Sequence, residues 1–238
     1  MTFTAPFSAF GNAVSPTRPL VKVCCIATVV EAAMVVEAGA FALGLVSAMP
    51  SGPGVIDEAL IAEIAAWAPP TVETFLLTSR QDAAGIAEQH ARCRTTTIQL
   101  VDAVPERELR SLRSALPSVA LVQVIHVMDE ASVAEALQVA PLVDALLLDS
   151  GTQQLAVQEL GGTGRTHDWT LSRRIRDQST VPVFLAGGLH DGNVGDALAT
   201  VAPFGLDLCS GVRTDGQLDH GKLIRFLAAV RQRIAAVQ

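Results

Sequence analysis

Lys22, Cys24 and Cys25 stand together in VKVCCI (21–26), a short apolar run that ends on two thiols just before a helix-like stretch. A cysteine so placed serves one of two ends. It packs as a small buried hydrophobe, or, partly ionised beside a lysine, it acts as nucleophile or base. Asp149 is a natural counterpart. It follows three leucines in ALLLDS (145–150), where a carboxylate is costly to bury unless it is paired or put to use. Partial burial raises a carboxyl pKa, which suits a general acid near neutral pH. The plainer reading of Asp149 is a loop cap.

Glycine supplies a third chemistry. ELGGTGRTHDW (159–169), LAGGLHDGNV (185–194) and CSGVRTDG (209–216) are separated by helix-like or strand-like runs. Such loops let backbone N–H groups converge on an anion, which makes the three clusters together a candidate phosphate cradle. Tight turns alone are the competing explanation.

These residues need a frame. Eight β-type runs recur: 21–26, 42–47, 73–78, 96–101, 120–127, 145–150, 182–188 and 205–211. Stretches of helical spacing such as DEALIAEIAAWA, ERELRSLRSAL and EASVAEALQVA lie between them. Nearly continuous apolar strands alternating with helices indicate a parallel sheet covered on its outer face. Eight such units predict an α/β fold of the (β/α)8 TIM-barrel type over 21–238. The alternative is a doubly wound open sheet, but the first turn, CCIAT, lacks the glycines that fold favours. Residues 1–20, rich in Ser, Thr, Pro and Ala, read as a loosely ordered extension with neither the charged start nor the apolar run of a signal peptide.

In such a barrel, chemistry sits at the C-terminal strand ends. Side-chain alternation then places Lys22 and Cys24 inward and Cys25 outward, as packing. Lys22 would favour the Cys24 thiolate. Asp207 faces inward on the eighth strand and would meet either Lys22 or a substrate amine. Gln99 closes the fourth strand, and His126 reads as a strand-end histidine. A formal net charge of −7 and the absence of a basic stripe argue against nucleic acid. No apolar run approaches a membrane span. Four cysteines without CxxC spacing argue against zinc and fit free thiols in a reducing cytoplasm. One acid, one base and a phosphate cradle describe an isomerase of phosphorylated sugars or a related carbon-acid enzyme.

KVCCI, AGAFALGLV, LLLDS followed by GGTGRTHDW, FLAGGLHDGNV and GLDLCSGVRTDG, in this order, resemble the phosphoribosylanthranilate isomerase family over about 20–235. The resemblance implies an Amadori rearrangement in tryptophan biosynthesis, with Asp149 as acid and Cys24 as base. It also implies that Lys22, Gln99, Asp207, Gly162, Gly164, Gly187, Gly188, Ser210 and Gly211 hold a phosphosugar, and that no metal or cofactor is needed. The chain departs from the family pattern in three places. Cys25 stands for a glycine, Pro53 for an arginine that meets the anthranilate carboxylate, and Val101–Asp102 for histidine–glycine. Arg165 or Arg213 is then expected to replace the missing donor. An isomerase of another phosphorylated aminosugar, or a non-catalytic phosphosugar-binding protein, are the other readings that the residues leave open.

Overall fold

Runs of Val, Ile and Leu too short for a stable helix pair side by side as strands, each followed by a capped helix. The computed structural model describes residues 18–150 and 167–235. Its strands are β1 (Leu20–Val23), β2 (Ala42–Val46), β3 (Glu73–Thr78), β4 (Thr97–Leu100), β5 (Ala120–His126), β6 (Ala145–Asp149), β7 (Val183–Leu185) and β8 (Gly205–Leu208). They pair in sequence order, all parallel, and β8 closes onto β1 with Lys22 opposite Asp207. The helices are α1 (Val29–Glu37), α2 (Glu58–Trp67), α3 (Ala83–Cys93), α4 (Glu106–Ala115), α5 (Glu130–Val139), α6 (Trp169–Gln178), α7 (Val194–Val201) and α8 (His220–Ala235). The fold is a closed (β/α)8 barrel. After β8 a short turn leads into a small hairpin, β9 (Arg213–Thr214) and β10 (Gln217–Leu218).

Oxygen-bearing side chains begin several of the helices. Thr28, Asp57, Asp82, Asp129 and Asp168 each accept a hydrogen bond from a backbone N–H in the first turn that would otherwise lack a partner. A cap of this kind is worth about 1 kcal/mol. Strand alternation divides the apolar residues into two cores. Val21, Val23, Leu43, Leu45, Ile98 and Leu146 face the helices. Ala42, Val46, Phe75, Val122, Leu147 and Phe184 fill the barrel. Inside it, Phe184 packs edge-on against Phe75 at 6.4 Å and against Phe204 at 5.5 Å between ring centroids.

Strand ends differ slightly from the sequence reading. β1 begins at Leu20, inside the expected extension, and stops at Val23. β7 stops at Leu185, shortly before Gly187 and Gly188, whose φ angles of 86° and 61° end an extended strand. Residues 1–17 of the expected extension lie outside the described residues. Among the described residues no helix is long and apolar enough to cross a membrane.

Candidate active site

A cavity opens at the C-terminal ends of the strands, with about 670 Å³ of unfilled space, part of it continuous with solvent. Cys24, Gln99, Asp149, Gly187, Gly188, Asp207 and Ser210 all line it. The parity argument holds for Cys24. Lys22 also points inward, but it is fully buried beneath the cavity and does not line it. Its ammonium lies 2.8 Å from Asp207 Oδ1 and 5.2 Å from the centre of the Phe75 ring. Burial works against the Lys22 charge, yet Asp207 and the neighbouring Cys24 outweigh it and hold its pKa above the ordinary lysine value. Asp207 is therefore engaged by Lys22 from below while its cavity side stays open. Gly44 on β2 makes room for this arrangement. A Cβ there would fall 2.9 Å from Cys24 Sγ and 3.1 Å from Lys22 Nζ, so thiol and ammonium converge on one small space.

Cys25 corrects the sequence reading. It was expected to pack outward, but it lines the same cavity as Cys24. Alternation holds only while the backbone is extended, and β1 ends at Val23. Cys25 has φ 63°, a left-handed conformation that costs an L-residue about 1–2 kcal/mol. This turn brings its Sγ to 2.7 Å from the Sγ of Cys209 at the end of β8.

Asp149 ends β6 three strands away from β1 around the ring, with 8% of its surface exposed into the cavity. Its Oδ1 accepts from the Ser150 backbone N–H at 2.7 Å. His167 lies in its electrostatic range, its Nε2 2.6 Å from Ser172 Oγ. Burial pushes the His167 pKa down to about 4, so at neutral pH it places no positive charge beside Asp149. Gln99 presents a buried Oε1 without a hydrogen-bond partner, an acceptor free for a ligand hydroxyl or amine. His126 shares the inward face of β5 but turns Nε2 to the Val101 carbonyl at 3.3 Å, as a strand-end histidine does.

The side formed by the loops after β7 and β8 is built from close approach. Gly187 and Gly188 occupy left-handed backbone, and Asn193 Nδ2 donates to the Gly188 carbonyl at 2.9 Å. Asn193 Oδ1 in turn accepts from the His190 N–H at 2.9 Å. Gly211 packs so tightly on this loop that a Cβ would sit 1.9 Å from the Leu189 carbonyl oxygen. The loops after β7 and β8 thus form one surface. Gly162, Gly164 and Arg165 lie outside the described residues.

Toward β2–β5 the wall around Gln99 is apolar, made by Val46, Met49, Pro53, Leu77, Val101 and Val124. Asp102 does not line it, and Gln123 Nε2 donates to the Asp102 carbonyl at 2.8 Å. Among the described lining residues there is no lysine or arginine. Arg213, an expected carboxylate donor, is otherwise engaged. Its guanidinium pairs with Glu31 at 3.1 Å and donates to the carbonyls of Cys24, Cys25 and Gly216. Glu31 also accepts from the Ala27 and Leu218 N–H groups, each at 2.9 Å. Burial opposes the Glu31 charge, but Arg213 and these N–H donors hold its pKa below the ordinary value. Sequence reading missed this clasp, and it missed the support that Asn193 lends to the β7 loop. The distance of about 180 residues between Glu31 and Arg213 hid the first. The second was in view inside LAGGLHDGNV, as an asparagine just before a helix.

Comparison with known proteins agrees with this geometry. The family model for N-(5'-phosphoribosyl)anthranilate (PRA) isomerase matches residues 21–229. The chain is 36% identical to the N-(5'-phosphoribosyl)anthranilate isomerase of Haloferax volcanii, over 91% of this chain and 95% of that one. It is 34% identical to isomerase 2 of Methanosarcina mazei, over 87% of this chain and 92% of that one. Among solved structures it resembles the phosphoribosyl anthranilate isomerase of Thermotoga maritima, with a TM-score of 0.78, 27% identity, and 90% and 99% of the two chains covered. A second solved isomerase, in complex with reduced 1-(o-carboxyphenylamino)-1-deoxyribulose 5-phosphate, matches with a TM-score of 0.75 at 25% identity, over 90% of this chain and 99% of that one. With matching extending from the first strand into the last helix, the chain belongs to the phosphoribosylanthranilate isomerase family.

Proposed function

We propose that this isomerase converts N-(5-phosphoribosyl)anthranilate to the 1-deoxyribulose 5-phosphate product of tryptophan biosynthesis, an aldose-to-ketose Amadori rearrangement. The observation that carries the reading is that Cys24 and Asp149, from β1 and β6, face one cavity rimmed by Gly187, Gly188 and Ser210. Asp149 gives a proton to the ribose ring oxygen as the C1–O bond breaks, and the amine lone pair forms the C1=N Schiff base. Cys24 removes the C2 proton, and the electrons pass through C1 to the nitrogen to give an enolamine. The enol hydroxyl then loses its proton as C1 gains one, leaving the ketone. The Lys22 ammonium stabilises negative charge at the Cys24 sulfur from below. Gln99 and Asp207 offer acceptors to the sugar hydroxyls or the amine, and the β7 and β8 loops hold the phosphate, together with Gly162 and Gly164. No metal or cofactor enters this scheme, because the substrate's own amine serves as the electron sink. The four free thiols support a cytoplasmic setting.

The test is turnover of phosphoribosylanthranilate generated in situ, followed by loss of anthranilate fluorescence. Cys24→Ser and Asp149→Asn should each lower kcat by about 10²–10⁴-fold, the usual weight of a positioned acid or base. Both should still bind inorganic phosphate. Absence of turnover from folded, phosphate-binding wild type would overturn the reading. It would favour the second one, an isomerase of an aminosugar phosphate whose nitrogen substituent carries no carboxylate, which the apolar wall at Pro53 and Val101 supports.

A further inference from the structure

Cys25 and Cys209 take no part in the chemistry just described, yet both line the cavity. Their Sγ atoms are 2.7 Å apart, and the strands that lead into them are hydrogen-bonded neighbours, with Val23 opposite Leu208 and the Cys24 N–H donating to the Leu208 carbonyl at 2.7 Å. A covalent S–S bond of about 2.05 Å needs only a small further approach. Two features hold the thiols together. Arg213 Nη2 donates to the Cys25 carbonyl and so fixes the left-handed turn. Gly54 leaves the space that the Cys25 side chain occupies, since a Cβ there would come within 2.5 Å of Cys25 Cβ.

We propose that Cys25 and Cys209 form a covalent modification site, at which an oxidant of the hydroperoxide class converts the thiol pair into a disulfide joining the β1 end to the β8 end. Cys209 is the attacking sulfur. The hydrogen bond with Cys25, reinforced by the positive charge of Arg213, lowers its pKa, while the same bond pushes the Cys25 thiol up. The Cys209 thiolate attacks one peroxide oxygen, the O–O bond breaks, and the departing oxygen takes from solvent the proton that Cys209 gave up, leaving as an alcohol or water with a sulfenic acid on Cys209. Cys25 then attacks that sulfur. An S–S bond forms, the S–O bond breaks, and the hydroxide leaves as water with the Cys25 proton. Two sulfurs are oxidised by two electrons in all, and one peroxide is reduced. Cys93 is a built-in control, because it is fully buried on α3 with its thiol pushed up to about 11.

The cross-link joins residues adjacent to Cys24 on one side and Ser210 on the other, so it displaces the base relative to the phosphate loop. Misplacement on the ångström scale costs up to about 10²-fold in rate. This effect on turnover rests on the isomerase reading, but the disulfide itself does not.

Reduced protein treated with hydrogen peroxide should lose two of four thiols and yield a peptide pair joined between the 24–25 and 209 regions. Cys24→Ser should keep the joined peptides, whereas Cys25→Gly and Cys209→Ser should abolish them. Wild-type turnover should fall at least tenfold and return with dithiothreitol, while Cys25→Gly and Cys209→Ser retain most of their own reduced-state rates. A cross-link that survives in Cys25→Gly, or none in folded wild type, overturns the proposal. A mapped disulfide with full turnover overturns the loss of activity assigned to it. Reduced wild type without turnover overturns the isomerase reading instead, and peptide mapping alone then decides the disulfide.

Discussion

Under the proposed reading, substitutions at two glycines should separate the chemistry of this site from its binding. Gly44→Ala would place a methyl group 2.9 Å from both the Cα and the Sγ of Cys24, and backbone cannot yield as a flexible side chain does. The thiol should shift, and kcat should fall by about 10²-fold, with inhibition by inorganic phosphate little changed. Gly211→Ala should do the reverse. Its methyl, 1.9 Å from the Leu189 carbonyl, parts the β7 and β8 loops. Inhibition by inorganic phosphate should then weaken at least about tenfold, the scale of one lost charge-assisted hydrogen bond. Steady-state kinetics with phosphate as inhibitor distinguishes the two. Equal effects from both variants would mean that the loops and Cys24 do not move independently.

At the scale of elements, the clasp between α1 and the β9–β10 hairpin decides how firmly the β1 loop is held. Glu31 has its pKa lowered in the folded chain, although burial alone would raise it, because Arg213 and the N–H groups of Ala27 and Leu218 stabilise the carboxylate. A lowered folded pKa means that the stabilisation is present above the unfolded value and is lost as pH falls through the folded value. Urea unfolding of wild type and Glu31→Gln should therefore diverge most at neutral pH and converge as pH drops below the ordinary glutamate value of about 4.3. A gap between the two that is independent of pH would remove the charge from the explanation. Of these elements, the strands and helices were legible from apolar runs and spacing. The clasp was not, because its partners come from opposite ends of the chain and only barrel closure brings them together.

For the whole molecule, the buried Lys22–Asp207 pair is the seam where the first strand meets the last. Removing one partner strands a charge in the barrel interior, which costs about 3–5 kcal/mol. Lys22→Met should lower unfolding stability by that amount, and the double variant Lys22→Met, Asp207→Leu should regain much of it. Chemical denaturation of the two variants measures the difference. A double variant no more stable than the single one would show that the pair's worth lies in more than cancelling charge. Catalysis is expected to suffer in both, since Asp207 also lines the cavity.

The sequence by itself determined the barrel, the inward face of Cys24 and Asp207, the Asp149 strand end and the glycine loops after β7 and β8. All of these follow from local periodicity or from motifs contained in a single stretch of chain. Only the tertiary structure decided what happens past the strand ends. Cys25 turns into the cavity because the backbone there takes φ 63°, a value that alternation along a strand does not anticipate. Arg213 faces Glu31 rather than the apolar wall because closure of the ring places β8 beside β1. Lys22 sits below the cavity, not in it, because Asp207 offers a partner at the same level of the barrel. The last two outcomes depend on a neighbour distant in sequence, which only the closed ring supplies.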